Sequence, residues 1–120
     1  VFYGDGCQVR DLLYVEDLVA AMRIAMDQIE GTSGRAFNVG GGPANTLSLR
    51  ELVALLAEIH GAAPRVHTAP WREGDQRYYV SDTRAIQRLL NWSPQVAPPA
   101  GLQQLYQWLQ SSLHPVAAAS

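Results

Sequence analysis

Apolar residues recur along this chain at helical spacing in four stretches, separated by short extended runs and turns. From Asp17 onward, Leu18, Val19, Met22, Met26 and Ile29 fall on one face of a 3.6-residue repeat. The spacing predicts a helix that Asp17 precedes and that Gly31 and Gly34 end. In "TLSLRELVALLAEIHG", Leu49, Leu52, Val53, Leu56 and Ile59 share a second face, and Gly61 and Pro64 stop the helix. Its start is the clearest in the chain. Ser48 followed three residues later by Glu51 forms a capping box, in which each side chain covers a backbone N–H of the other. Ser81 or Asp82 caps a third helix, "TRAIQRLLN", with Ile86, Leu89 and Leu90 turned inward. After the stiff connector "WSPQVAPP", Leu102, Leu105, Tyr106 and Leu109 mark a fourth.

The extended pieces are short. "VFYGDGCQVRDLLYV" reads as a hairpin, two strands joined at Gly4-Asp5-Gly6, because Asp-Gly supplies the positive φ angles of a tight turn. "RAFNVGGG" reads as a buried strand running into glycines, with Asn38 bonded to a neighbouring loop, and "RVHTAP" as a weaker strand. Tyr78 and Tyr79, adjacent on a strand, point to opposite faces, so one belongs to the core. Trp92 and Trp108 read as packing residues. The order is hairpin, helix, strand, helix, strand, loop, helix, helix: an α/β class in which helices dominate. Such short strands need a neighbour, in this chain or another, to make a sheet. One domain over residues 1–113 and a flexible tail over 114–120 are expected.

Composition narrows the partners. An apolar fraction of 48% with 17% charged residues is that of an ordinary globule rather than a disordered chain. A net charge of −2 without runs of like charge gives no electrostatic reason to expect nucleic acid or an acidic membrane. No apolar run reaches the roughly 18 residues of a membrane span, and no signal-peptide pattern opens the chain, so a cytoplasmic location is expected. The chain opens on Val1 rather than methionine, which is compatible with a piece of something longer. Cys7 is alone, and His60, His67 and His114 share no ligand spacing, so neither a disulfide nor a metal site is expected. All 9 basic residues are arginines. A mechanism that needs a lysine therefore cannot be completed within these residues.

Charge concentrates in one place. "WREGDQRYYVSDT" sets Arg72, Glu73, Asp75, Arg77 and Asp82 around a glycine and beside three aromatic rings. A guanidinium presents a planar fork that matches two phosphate oxygens, so Arg10 and Arg72 converging on one cleft could neutralise a diphosphate. The other reading pairs Arg10 with Asp11 or Asp17, and Arg72 with Glu73, as surface ion pairs worth under about 1 kcal/mol each. Asp75 suits the two hydroxyls of a ribose, or simply closes a turn after Gly74. Trp71 and Tyr79 could wall a nucleotide pocket. "FNVGGGPAN" has neither GxGxxG nor Walker spacing, which favours a glycine-rich turn over a phosphate loop.

Taken together, "GDGCQVRDLLYVEDLVAA", "AFNVGGG", "SLRELVALLAEIHG" and "REGDQRYYVSDTRAIQRLLNWSP" resemble, in order, the C-terminal third of extended short-chain dehydrogenase/reductases acting on nucleotide sugars. The likeness runs from Phe2 to about Leu113. Within that family "GDGxQVRDxL" with "REGDQR" is most similar to the CDP-tyvelose (CDP-paratose 2-) epimerases. The resemblance implies that Arg10 and Arg72 clasp the diphosphate, that Asp75 holds the nucleoside ribose and that Tyr79 lies near the phosphates, with Arg77 a further substrate contact. Asp82 fits a helix cap better than a ligand. It also implies a parent enzyme that uses NAD(H), whose N-terminal Rossmann half is absent here: no GxxGxxG, no catalytic YxxxK, no catalytic residue in this chain. The expectation is a substrate-binding portion of an epimerase or dehydratase, its partners a nucleotide-diphosphate sugar and the missing half. The alternative is a free-standing interaction or scaffold domain derived from such an enzyme, associating with itself or with another protein.

Overall fold

The structure is a computed structural model that describes residues 1–113; the expected tail, 114–120, lies outside the described residues. Five helices carry nearly half of the described residues: α1 (Val15–Asp27), α2 (Ile29–Thr32), α3 (Leu49–His60), α4 (Arg84–Leu90) and α5 (Pro98–Leu113). The strands are two or three residues each: β1 (Phe2–Tyr3), β2 (Val9–Asp11), β3 (Thr46–Ser48), β4 (Thr68–Ala69) and β5 (Tyr78–Tyr79). The helix-dominated α/β class follows the sequence pattern.

Local chemistry explains the ends of α3. The Ser48 hydroxyl accepts the Glu51 N–H at 3.2 Å, and the Glu51 carboxylate accepts the Ser48 N–H at 2.7 Å. At the other end Gly61 takes the left-handed conformation (φ 78°) and returns its N–H to the Ala57 carbonyl. A side chain there would strain the backbone. α1 begins before Asp17, at Val15, so Asp17 lies inside its first turn, and the helix ends at Asp27, with Ile29 in the separate turn α2. The Thr32 hydroxyl donates to the Ala25 carbonyl at 2.8 Å and fastens that turn beneath α1. α4 is led in by Thr83, whose side chain makes no cap bond to the backbone; Asp82 instead accepts the Arg84 N–H at 3.1 Å and holds its guanidinium.

The hairpin does not form. β1 pairs in parallel with β4, Phe2 opposite Thr68, while β2 runs between β3 (antiparallel) and β5 (parallel). The Gly4–Gly6 turn sends its backbone groups elsewhere: the Gly4 N–H reaches the Ala69 carbonyl, and the Gly6 carbonyl accepts the Arg50 N–H. Residues 35–42 are not a strand either. They have no ladder partner among the described residues, and Asn38 is exposed.

The core is small. Ala21, Ile86, Leu90 and Trp92 are buried, with Leu13, Ile24, Phe37 and Val39 packed around them. Asp17 crosses it, accepting the Val96 N–H at 2.9 Å on its carboxylate and the Trp92 indole N–H at 3.1 Å on its carbonyl. Several residues expected inside are outside. Val19, Met22 and Met26 of α1 and Ile29 of α2 are exposed, Met26 by 72%, as are Leu89, Leu105, Leu109 and Trp108. Neither Tyr78 nor Tyr79 reaches the core, at 69% and 45% exposure. The helical period holds, but among the described residues nothing covers this face. The radius of gyration agrees, at 17.7 Å against about 13.6 Å for a compact domain of this length.

Candidate functional site

β2 positions the site because its alternation sends Arg10 and Asp11 to opposite faces. On one face the Asp11 carboxylate accepts the N–H of Gly42 at 2.9 Å and that of Ser81 at 3.1 Å. Burial pushes its pKa up, but the bonds from Gly42 and Ser81 outweigh this and hold the carboxyl below its ordinary value. The carboxylate thus ties the glycine-rich loop and the segment after β5 to β2. The glycines serve that contact: a side chain at Gly40 would collide with Ser81 and Asp11, and one at Gly41 with the Leu12 carbonyl. With the Gly42 N–H committed to Asp11, this loop makes a close-packed turn and holds no open cradle for the phosphates of a dinucleotide. This loop therefore does not fit the phosphates of NAD(H).

On the opposite face Arg10 reaches 65 residues along the chain. Its Nη2 lies 3.2 Å from Asp75 Oδ1 and donates to the Gln76 carbonyl at 2.5 Å, while Nη1 donates to the Val9 carbonyl. Pairing with Asp11 or Asp17 does not occur. The reason is geometric: Asp11 faces away, and Asp17 is engaged inside the core. The Arg10–Asp75 pair is about one-third exposed on each side, so screening keeps its own stabilisation within about 1 kcal/mol.

Asp75 also closes the turn that carries Arg72. Its N–H donates to the Arg72 carbonyl at 3.3 Å, with Gly74 at φ 77°, the positive angle a type II turn demands at that position. Both roles read for Asp75 are therefore compatible, since the backbone closes the turn and the side chain faces Arg10. Arg72 does not pair with Glu73. Its guanidinium lies over the Tyr3 ring, 3.5 Å from the centroid. Arg77 stacks over Trp71 at 4.9 Å, and the Trp71 ring lies against Gly4 so closely that a side chain there would overlap it. β5 registers Tyr79 opposite Arg10, and the Val9 N–H binds the Arg77 carbonyl at 3.0 Å.

The structure thus brings the side chains of Arg10 and Asp75 together and registers Tyr79 opposite Arg10, while Arg72 stacks on Tyr3 and Arg77 on Trp71. Sequence reasoning missed Tyr3 and Gln8. Tyr3 underlies Arg72; its signal was an aromatic residue directly before a glycine at a strand end. Gln8 is buried, donates from Nε2 to the Tyr3 carbonyl, and its Oε1 has no partner among the described residues. Asp82 stays with Arg84, which holds its carboxyl far below the ordinary range, and takes no part in the site.

Comparison with known proteins gives this geometry a context. Residues 1–40 match the model of the NAD dependent epimerase/dehydratase family. The chain is 40% identical over 108 residues to a CDP-paratose 2-epimerase of Salmonella typhi, covering 90% of this chain and 32% of that protein. It is also 40% identical over 107 residues to a dTDP-glucose 4,6-dehydratase of Streptomyces griseus, covering 88% of the chain and 31% of the relative. Among solved structures, the UDP-glucose 4-epimerase of Thermotoga maritima with UDP-glucose superimposes with a TM-score of 0.80 at 31% identity, over 93% of this chain and 35% of that one. The chain spans about a third of the length of the curated relatives it matches, and its fold corresponds to their C-terminal part.

Proposed function

We propose, for a chain that belongs to the NAD dependent epimerase/dehydratase family, that it supplies the nucleotide-diphosphate-sugar side of an epimerase or dehydratase cleft and performs no hydride chemistry by itself. The observation that carries the reading is the meeting of Arg10 with Asp75, two side chains far apart in sequence, in the same turn that displays Arg72. Two guanidinium groups offer planar donors to a diphosphate, and Asp75 keeps a carboxylate oxygen for a ribose hydroxyl. The likeness to a CDP-paratose 2-epimerase and to a UDP-glucose 4-epimerase solved with UDP-glucose supports a nucleotide sugar as ligand. NAD(H) belongs to the complete enzyme, held by residues outside this chain. The partner is then the remaining two-thirds of such an enzyme, and the uncovered Val19, Met22 and Met26 of α1 with Ile29 of α2 supply an apolar surface for it.

Titration of the 15N-labelled chain with CDP, UDP and dTDP tests this. Shifts confined to Tyr3, Arg10 and residues 71–79 are expected, with weak affinity, because half of the cleft is absent. Shifts elsewhere, or none at millimolar nucleotide, would refute the assignment.

The same bare face of α1 favours a second reading, a self-associating domain derived from such an enzyme. Sedimentation separates the two: a stable oligomer that ignores nucleotides supports association, and a nucleotide-responsive monomer supports the cleft.

A further inference from the structure

We infer that Gln8 is a positioning residue: from inside the fold its side-chain amide fixes Tyr3, and through the Tyr3 ring it sets where the Arg72 guanidinium stands. This rests on the diphosphate reading of Arg10 and Arg72 and adds to it a residue that acts through another.

Three observations carry it. First, Gln8 links two sheets. It stands immediately before β2, a member of the three-stranded sheet, while its Nε2 donates to the carbonyl of Tyr3 in β1, which pairs with β4. Its own carbonyl accepts the Leu49 N–H at 3.2 Å, so the residue is also held at the start of α3. The β1–β4 ladder is two residues long, too short to fix Tyr3 firmly by itself.

Second, the bond has one possible direction and a cost. Gln8 is 3% exposed, and its Oε1 has no partner among the described residues. Turning the amide over would set two acceptors, Oε1 and the Tyr3 carbonyl, against each other, so Nε2 must face Tyr3. A methionine would fill similar space and leave no acceptor unpaired, and a buried unpaired acceptor destabilises a fold. What the amide adds over such a residue is the bond to Tyr3.

Third, Arg72 depends on the ring that Gln8 holds. Its guanidinium lies 3.5 Å from the Tyr3 centroid and has no carboxylate within ion-pair distance among the described residues. Arg10, by contrast, is fixed by Asp75 and by the Gln76 carbonyl. A displacement of Tyr3 therefore moves Arg72 relative to Arg10. A diphosphate bound by both forks needs them at one spacing.

Nuclear magnetic resonance of the full chain tests this, with inorganic pyrophosphate as the probe. In wild type the Arg72 side-chain protons should be shifted upfield by the Tyr3 ring and show Overhauser contacts with it. Absence of both overturns the inference without any substitution. Gln8→Met keeps the length and removes the donor. The upfield shift should be lost while the chain stays folded, and pyrophosphate should bind about fivefold more weakly. Should that variant fail to fold, Gln8→Asn, which keeps the amide but draws it back by one methylene, carries the same expectation. In an Arg72→Ala background the Gln8 change should alter pyrophosphate affinity by less than about twofold, because the residue it acts through is gone. Equal losses with and without Arg72, or an Arg72 signal that stays in place in the Gln8 variant, would mean that Gln8 only fills the fold. Either result overturns the inference and leaves the diphosphate site standing. Pyrophosphate that ignores the wild-type chain would overturn the diphosphate reading and this inference together.

Discussion

The carboxylate of Asp11 accepts the backbone N–H of Ser81 across 70 positions of sequence, one residue beyond the point where Arg10 faces Tyr79. The site therefore rests on a half-buried acid that faces away from Arg10. Asp11→Ala should leave the N–H groups of Gly42 and Ser81 unpaired and lower stability by about 2–3 kcal/mol, measured by urea denaturation. The folded state holds this carboxyl below its ordinary pKa, so its contribution is complete at pH values above the unfolded carboxyl's pKa. It is lost as the pH falls from there through the folded value. The urea midpoint of wild type should drop through that acid window more steeply than that of Asp11→Asn. Parallel pH profiles would refute this role.

Ser48→Ala removes one arm of the capping box and should destabilise the chain by about 1 kcal/mol. Because the Glu51 carboxylate also accepts the Ser48 hydroxyl at 2.7 Å, Ser48→Ala combined with Glu51→Ala should cost less than the sum of the two changes. A double-mutant cycle in urea reads the coupling.

Met22→Lys with Met26→Lys should leave the unfolding free energy of the isolated chain within about 0.5 kcal/mol, since both side chains are exposed. The same pair should abolish association with whatever covers α1. A loss of several kcal/mol in the isolated chain would mean that α1 is buried in solution after all.

Arg72→Ala should weaken nucleoside diphosphate binding by about 1.5–3 kcal/mol, the scale of a lost charge-assisted bond, with Arg72→Lys recovering only part. Calorimetry that finds unchanged affinity removes Arg72 from the phosphate contacts.

Signals confined to a few neighbouring residues were legible in the sequence. The α3 cap, its glycine stop and the Gly74 turn all appear where their residue types demand. Arg10, Arg72 and Asp75 were legible as candidates from residue chemistry and motif order, but their true neighbours were not. That Arg10 meets Asp75 depends on the register between β2 and β5, and that Arg72 meets Tyr3 depends on the pairing of β1 with β4; no local pattern encodes either. Two errors share a physical cause. Phe2–Tyr3 and residues 35–42 were read as strands seeking partners nearby, whereas strand pairing is a long-range choice. For 35–42 no partner exists among the described residues. The stripe from Val19 to Ile29 has helical period and no burial for a related reason: periodicity reports that a face is apolar, not what covers it.

The parallel pairing of Phe2 with Thr68 closes a loop of more than sixty residues through a ladder only two residues long. Closing such a loop costs chain entropy before any bond compensates, so this contact should form late in folding and open early on heating. Amide exchange should then be fastest at the β1–β4 seam, where Gly4 and Tyr3 support Trp71 and Arg72, and slowest in the helices around Trp92. The ligand clamp would come undone while the scaffold behind it stays folded.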